Sequence, residues 1–213
     1  MENCPNARTQ EEQKAITPKD AVQMLKDGNK RFVDDKMTKY CYGKMAKQSA
    51  KNGQFPFAAV LCCVDSRIPV EQVFDQAIGD MFVARVAGNF INSDIVGSLE
   101  FAVVSGVKSI LILGHTACGA IKGACDGATG LPALDSMLSN IQPAVKSAIT
   151  STGRVATSTD SKFVQTVADV NVKMAMADLR SKSALINTAI QNDTLKLVGG
   201  MYDLSSRVAK IDD

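Results

Sequence analysis

The sequence predicts a three-layer α/β/α fold, in which helices cover both faces of a central, mostly parallel sheet of four strands plus a C-terminal antiparallel edge strand. Four short apolar runs lack polar alternation, as is typical of strands buried on both faces. Helical segments separate these runs, which is the pattern of a parallel α/β sheet. The 213 residues, 46% of them apolar, suffice for one sizeable core, so we expect a single domain over residues 1–213.

The predicted strands are the apolar runs themselves, at Phe57 to Cys62, Met81 to Ala84, Ser109 to Leu113 and Leu195 to Val198. A turn at residues 202–206 follows the last run, and residues 207–211 are expected to return as the edge strand. Helices are predicted at residues 70–74, 93–104, 134–149, 162–179 and 183–191. Pro143 is expected to kink or break the third of these helices.

The N-terminal region predicts a helix followed by an arm. Thr17 suits the N-cap and Pro18 the first helical position, and the helix is expected to reach about Lys36. Residues 37–54 are polar and rich in lysine, which indicates an arm lying over the surface or over a neighbouring subunit. Residues 1–14 are expected to be mobile.

The composition argues against two classes of partner. The 24 basic and 22 acidic residues are scattered along the chain and give a net charge of +2, without the basic patch of a nucleic-acid surface. No run approaches the ~20 apolar residues of a membrane helix, and the first residues do not resemble a secretory leader. We therefore expect a soluble, cytoplasmic protein that binds neither nucleic acid nor a membrane.

The six cysteines are too few and too unevenly placed for a disulfide scaffold, which favours a reducing compartment. Cys4, Cys41, Cys62 and Cys125 have no evident partner in the sequence. Cys41 lies in the polar arm, where an intermolecular disulfide on oxidation is the alternative to an inert thiol.

Two motifs place metal-ligating side chains at strand ends. Cys63-x-Asp65-x-Arg67 follows the first predicted strand, and His115-x-x-Cys118 follows the third. Ligands bind at the carboxyl ends of parallel strands, where both motifs are expected to lie. Two thiolates and an imidazole are a common zinc set, and three protein ligands leave the fourth position free for water, as in catalytic sites. The motifs together predict a catalytic zinc site formed by Cys63, His115 and Cys118.

Alternatives stay open at this point. A histidine at a strand end is commonly structural, and Cys62 competes with Cys63 as a ligand, although strand alternation points Cys62 into the opposite layer. His115 is the only histidine of the chain. If it binds the metal, protons must leave through water, carboxylates, tyrosines or external buffer.

These motifs resemble the zinc signature of the β-class carbonic anhydrases. Three further segments are similar to that family, GNKRF at 28–32, GDMFVARVAGN at 79–89 and VGGMYDL at 198–204. The resemblance covers roughly Thr17 to Ile211, and the motifs are jointly highly specific. Val86 stands where many members carry asparagine, a variant that we regard as within the family.

The resemblance implies the reversible hydration of carbon dioxide to bicarbonate and a proton, by attack of a zinc-bound hydroxide, with one Zn²⁺ per subunit. It also implies a catalytic pair in which Arg67 holds the Asp65 carboxylate off the metal and Asp65 accepts the proton of the hydroxide. If the pair breaks, Asp65 becomes the fourth zinc ligand of a closed site.

The resemblance further implies residues that bind substrate. Gln54 matches a glutamine that hydrogen-bonds the substrate oxygen, and the lack of tryptophan also favours an accessible zinc site. Phe82 and Phe101 match aromatic positions of the CO2 pocket, with core packing as the alternative. Gly119 is either a backbone donor near bicarbonate or merely a helix-start glycine. In the family the glutamine and the aromatic residues reach the site across an interface, which implies a homodimer or a dimer of dimers wrapped by residues 15–54.

Two rival functions use the same residues. A hydrolase acting on carbonyl sulfide or carbon disulfide would share the zinc site and differ in the shape of its pocket. A non-catalytic zinc or redox module would need only the metal ligands, so the presence of Asp65, Arg67 and Gln54 argues against it.

Overall fold

The computed structural model describes residues 4–212, which include a five-stranded sheet in the order β2-β1-β3-β4-β5. The strands are β1 (Ala58–Cys62), β2 (Met81–Arg85), β3 (Ser109–His115), β4 (Lys196–Tyr202) and β5 (Ala209–Ile211). Neighbours among β1 to β4 are parallel, whereas β5 runs antiparallel to β4. The predicted fold class is confirmed, and β3 and β4 extend further than predicted.

Helices surround this sheet in the described part of the chain. They are α1 (Gln10–Ala15), α2 (Pro18–Val33), α3 (Tyr42–Asn52), α4 (Val70–Val73), α5 (Ser93–Val104), α6 (Gly119–Cys125), α7 (Pro132–Ser139), α8 (Gln142–Thr152), α9 (Ser161–Lys182) and α10 (Ala184–Gln191). The helix predicted over 134–149 is thus two helices. Pro143 lies in the first turn of α8, where its missing N–H breaks no helical hydrogen bond.

Successive residues of β1 face opposite layers. Ala58, Val60 and Cys62 pack with α2 and α4, whereas Ala59 and Leu61 pack with α5, α9 and α10. All residues of β1 and β3 are buried. Helices therefore hold these two central strands from both faces, which fixes the positions of the loops that leave their carboxyl ends.

The N-terminal segment differs from the predicted mobile region. A capping box starts α1, and the buried Gln13 amide donates to the carbonyls of Pro56 at 2.7 Å and Ser105 at 3.0 Å. These bonds join α1 to residues just before β1 and β3, so contacts far along the chain order a segment that is polar by sequence. The part of the prediction that concerns residues 1–3 lies outside the described residues.

The cysteines of the N-terminal region also require a correction. Cys4 and Cys41 form an intramolecular disulfide, whereas the sequence suggested no partner for either and an intermolecular bond as the alternative for Cys41. The two residues lie 37 positions apart in polar segments, so no local pattern indicates the pairing. Beyond Cys41, the predicted arm contains helix α3, in which Met45 is buried.

Between residues 4 and 212, no helix has both the length and the apolar character required to cross a membrane.

Candidate active site

The two predicted metal motifs lie side by side at the carboxyl edge of the sheet. β1 and β3 are adjacent, with Cys62 in register with Leu113, and each motif begins where its strand ends. The ligand atoms of Cys63, His115 and Cys118 all lie within 4.8 Å of one another, and all three side chains are buried. The structure therefore brings together the three residues predicted to bind the metal.

A tight connection between β3 and α6 positions His115 and Cys118 on the same side. Ala117 adopts a left-handed backbone conformation, with φ of 55°, and Cys118 then occupies the N-cap of α6. The amide of Thr116 donates to the carbonyl of Tyr202 at 3.0 Å, which ties this turn to the end of β4. The turn reverses the chain within three residues, so the imidazole and the thiol converge.

The donor set fits a metal ion. His115 Nδ1 lies 3.0 Å from the carbonyl of Thr116, while Nε2 is buried without a hydrogen-bond partner in the described chain. A backbone carbonyl at Nδ1 fixes the tautomer that leaves Nε2 as an electron-pair donor. The Sγ atoms of Cys63 and Cys118 are 3.9 Å apart, close to the ~3.8 Å expected for two sulfurs bound tetrahedrally at ~2.3 Å from zinc.

The surroundings of Cys63 favour its thiolate. Contact with the Cys118 thiol lowers the pKa of Cys63, and the hydrogen bond from the Gly88 amide adds to this effect. The same contact and burial raise the pKa of Cys118, because a second negative charge beside the first is unfavourable. A divalent cation removes that conflict, since it neutralises both thiolates at once.

Gly88 is needed for its contact with Cys63. Its amide lies 3.4 Å from the Cys63 Sγ, and its φ of +78° suits glycine. A β carbon at this position would also come within 2.5 Å of Ile141 Cδ1. Any larger residue would therefore strain the backbone that holds the amide at the sulfur, and the Ile141 side chain would have to move aside.

Asp65 and Arg67 form the predicted pair. The Arg67 Nε donates to Asp65 Oδ1 at 2.9 Å, its Nη2 to Oδ2 at 2.7 Å, and its backbone amide to Oδ1 at 3.0 Å. The guanidinium holds the pKa of the Asp65 carboxyl well below its usual range. Asp65 Oδ2 also lies 3.9 Å from the free Nε2 of His115, so the carboxylate stands beside the cluster as a stable anion.

Three groups escaped the sequence prediction, namely Arg85, Gly88 and the carbonyl of Thr116. Arg85 donates to the carbonyls of Cys63 at 3.0 Å and Asp65 at 2.6 Å. Arg85 and Gly88 belong to the segment GDMFVARVAGN that resembles the β-class enzymes, but their contacts depend on how β2 lies beside β1. That segment, and the position of Arg85 directly after the predicted strand at 81–84, are the sequence signals that could have indicated it.

Gln54 lies away from the cluster within one chain. It is exposed and precedes β1, and its β carbon lies 3.9 Å from the place a β carbon on Gly79 would occupy, just before β2. The five residues of β1 span about 16 Å, which separates Gln54 from Cys63. Within one subunit, Gln54 therefore does not lie near Cys63, His115 and Cys118.

Phe82 and Phe101 contact each other edge to face, with ring centroids 5.6 Å apart. They line an open cavity of about 390 Å³ beside the edge strand β2, and Phe101 remains 60% exposed. Gly119, the first residue of α6, is exposed next to Cys118, and the place where a β carbon would lie is open space.

Comparison with known proteins gives a consistent result. The family described as carbonic anhydrase matches residues 58–208. Carbonic anhydrase 2 of Mycobacterium tuberculosis is 32% identical over 197 residues, or 92% of this chain and 93% of that protein. The β-carbonic anhydrase CafA of Aspergillus fumigatus has a TM-score of 0.71 at 25% identity, over 91% of this chain and 89% of its own.

A tetrameric β-carbonic anhydrase of Sordaria macrospora shares the fold, with a TM-score of 0.68 at 23% identity over 78% of this chain and 89% of its own. The family match and the M. tuberculosis relative both extend over the two motifs that form the cluster. The chain therefore belongs to the carbonic anhydrase family, as a β-class member, and its activity is the reversible hydration of carbon dioxide.

Proposed function

We propose that Cys63, His115 and Cys118 hold one zinc ion per subunit and that CO2 is hydrated at this ion. The observation that carries the proposal is the buried, unpartnered His115 Nε2 beside two sulfurs 3.9 Å apart. When bound, zinc supplies the acidity that makes a water molecule a nucleophile near neutral pH, with a water pKa of about 7 in a three-histidine site.

Asp65 is proposed to accept a hydrogen bond from the proton on the reacting oxygen. Its carboxylate stays ionised because Arg67 donates three hydrogen bonds to it. The same bonds keep the carboxylate turned from the metal position, although Oδ2 is 3.9 Å from His115 Nε2. If Arg67 releases it, Asp65 becomes the fourth metal ligand and closes the site.

A second subunit is proposed to complete the substrate pocket. Gln54 is too far from its own Cys63 to touch a substrate there, so we assign it to the site of a partner in a homodimer or a dimer of dimers. Phe82 and the exposed Phe101 lie on the edge strand side, where a partner would cover them as the apolar wall for CO2. Gly119 is assigned to bicarbonate through its backbone amide. The S. macrospora relative, which is tetrameric, is in keeping with an oligomer but does not bear on which subunit supplies each residue.

The cytoplasmic location stays a prediction. Disulfides such as Cys4–Cys41 are rare in a reducing cytoplasm. Alkylation of thiols in intact cells tests the location, because Cys4 and Cys41 are modified before lysis only where they are reduced.

The function is tested by stopped-flow CO2 hydration with and without a zinc chelator, on the wild type and on Cys63→Ser and Asp65→Asn. We expect activity to require zinc, Cys63→Ser to lose both metal and activity, and Asp65→Asn to keep the metal with activity reduced on the order of 100-fold. Full activity in Cys63→Ser would contradict the assignment. Size-exclusion chromatography tests the subunit proposal, and a fully active monomer would contradict it.

A further inference from the structure

Arg85 joins the edge strand to the loop that carries two of the site residues. It is the last residue of β2, in register with Cys62, the last residue of β1. Beyond Cys62 the polypeptide leaves the sheet as the loop that contains Cys63 and Asp65. Arg85 Nε donates to the Cys63 carbonyl at 3.0 Å, and its Nη2 donates to the Asp65 carbonyl at 2.6 Å. One planar guanidinium thus binds the backbone of both residues.

The two arginines of the site hold different parts of Asp65. Arg67 binds the carboxylate, whereas Arg85 binds the carbonyl of the same residue. The Asp65 carbonyl also accepts from the Ile68 amide at 3.2 Å, so Arg85 supplies the bond that reaches this loop from another strand. Without it, the Arg67–Asp65 pair could keep its internal bonds and still move as a unit.

We propose that Arg85 is a positioning residue that keeps the Asp65 carboxylate off the metal by fixing the backbone from Cys63 to Asp65. The margin is small, because Asp65 Oδ2 already lies 3.9 Å from the His115 nitrogen that faces the metal position. A small shift of the loop would bring the carboxylate within reach of a zinc ion, which binds carboxylate oxygens at about 2.0–2.2 Å. This inference rests on the proposed zinc site.

The geometry requires arginine rather than a positive charge alone. The two carbonyls belong to alternate residues, and a rigid fork donates to both at once, whereas the single ammonium of lysine is a point donor on a flexible stem. Arg85→Lys is therefore expected to restore only part of the function that Arg85→Met loses.

The test combines CO2 hydration, metal content, thermal unfolding and the visible absorption of the cobalt(II)-substituted protein, which reports the metal's ligands. In Arg85→Met we expect kcat to fall about 10–100-fold, as for other residues that orient metal ligands, with one metal per subunit retained. The cobalt spectrum of Arg85→Met differs from that of the wild type. Arg85→Lys is expected to lie between the wild type and Arg85→Met in both kcat and spectrum. Arg154→Met, which removes an arginine paired with Asp160 on another surface, is the control and keeps the wild-type kcat and spectrum.

A double variant separates positioning from general destabilisation. If Arg85 acts through the Asp65 carboxylate, adding Arg85→Met to Asp65→Asn leaves the cobalt spectrum of Asp65→Asn unchanged. The proposal is overturned if Arg85→Met keeps kcat within twofold and the wild-type spectrum, or if the spectral change persists in the double variant. A wild type that binds cobalt but does not hydrate CO2 would refute the proposed function, while the spectra would still test the role of Arg85.

Discussion

The chain contains two cysteine pairs that the fold treats in opposite ways. Cys63 and Cys118 come from loops at the ends of the two central strands, and their sulfurs stand 3.9 Å apart as buried free thiols. Cys4 and Cys41 come from polar segments outside the sheet and form a disulfide. A disulfide needs sulfurs about 2.05 Å apart, whereas a shared zinc ion needs them nearly 4 Å apart.

The difference between the pairs lies in the backbone that carries them. β1 and β3 are buried along their whole length, so the sulfurs at their ends are held at metal distance. Cys4 and Cys41 belong to no strand of the sheet, and their sulfurs are bonded to each other. We therefore expect the first pair to govern activity and the second to govern stability.

The largest effect is expected from removing a thiol of the metal pair, Cys63 and Cys118. Cys118→Ser removes one of two thiolates, and we expect loss of bound zinc and a fall in CO2 hydration on the order of 1000-fold or more. Metal analysis and stopped-flow kinetics measure both quantities. Cys125→Ser is the matched control, since Cys125 is also a buried free thiol on α6. Equal losses in the two variants would mean that burial, rather than metal binding, explains the effect.

The charge of the metal pair predicts the pH profile. The thiolates of Cys63 and Cys118 would neutralise a bound zinc ion, so a water molecule at that ion would be less acidic than in a three-histidine site. Asp65 is ionised throughout, because Arg67 lowers its pKa, and it adds no titration near neutrality. Activity should therefore rise about tenfold per unit below an alkaline midpoint. A profile that is flat from about pH 6 to 9 in saturating buffer would contradict this.

Breaking the disulfide should change stability and leave the metal site intact. Closing a loop between residues 37 positions apart stabilises the fold by about 3–4 kcal/mol in the chain-entropy model. Cys4→Ser, Cys41→Ser and mild reduction should each lower the melting temperature by roughly 5–15 °C. Differential scanning fluorimetry measures the shift, while metal content and kcat should stay within twofold. A loss of zinc on mild reduction would show that the two pairs are coupled.

The smallest effect is expected from the hydrogen bonds beside the disulfide. Gln48 accepts from the Ala7 amide at 2.9 Å and donates to Asn6 at 3.1 Å. Gln48→Ala should lower stability by about 1 kcal/mol, or roughly 2–4 °C. The effect should shrink in Cys4→Ser, where the segment is already released. Lys47→Ala, at an exposed neighbouring position, is the control and should leave the melting temperature unchanged in both the wild type and Cys4→Ser. An equal effect of Gln48→Ala in the wild type and in Cys4→Ser would show that the N-terminal segment keeps its contacts without the disulfide.

The sequence predicts the central sheet and the metal cluster for the same reason. Strands buried on both faces leave uninterrupted apolar runs, and the residues that follow them must meet at one edge of a parallel sheet. β3 extends past its predicted end because His115 belongs to the strand although it is not apolar. Predicting the cluster required only the position of this sheet edge and the residue types of Cys63, His115 and Cys118.

The remaining features depend on contacts that local patterns do not encode. The disulfide and the bonds of Gln13 join residues between 37 and 92 positions apart. Predicting the contacts of Arg85 requires the register of β2 against β1, and apolar runs in the sequence do not specify that register. Gln54 lies nine positions before Cys63, but an extended strand turns that short spacing into a long distance.

The Cys4–Cys41 bond also makes a covalent ring of the chain, and this ring encloses α1 and α2. A protease that cuts once inside the ring produces two polypeptides that stay joined. Such a nicked molecule keeps the mass of the intact chain, apart from one added water, until a reductant opens the ring. Electrophoresis with and without reductant would therefore reveal cuts in α1 and α2 that a non-reducing gel alone would hide.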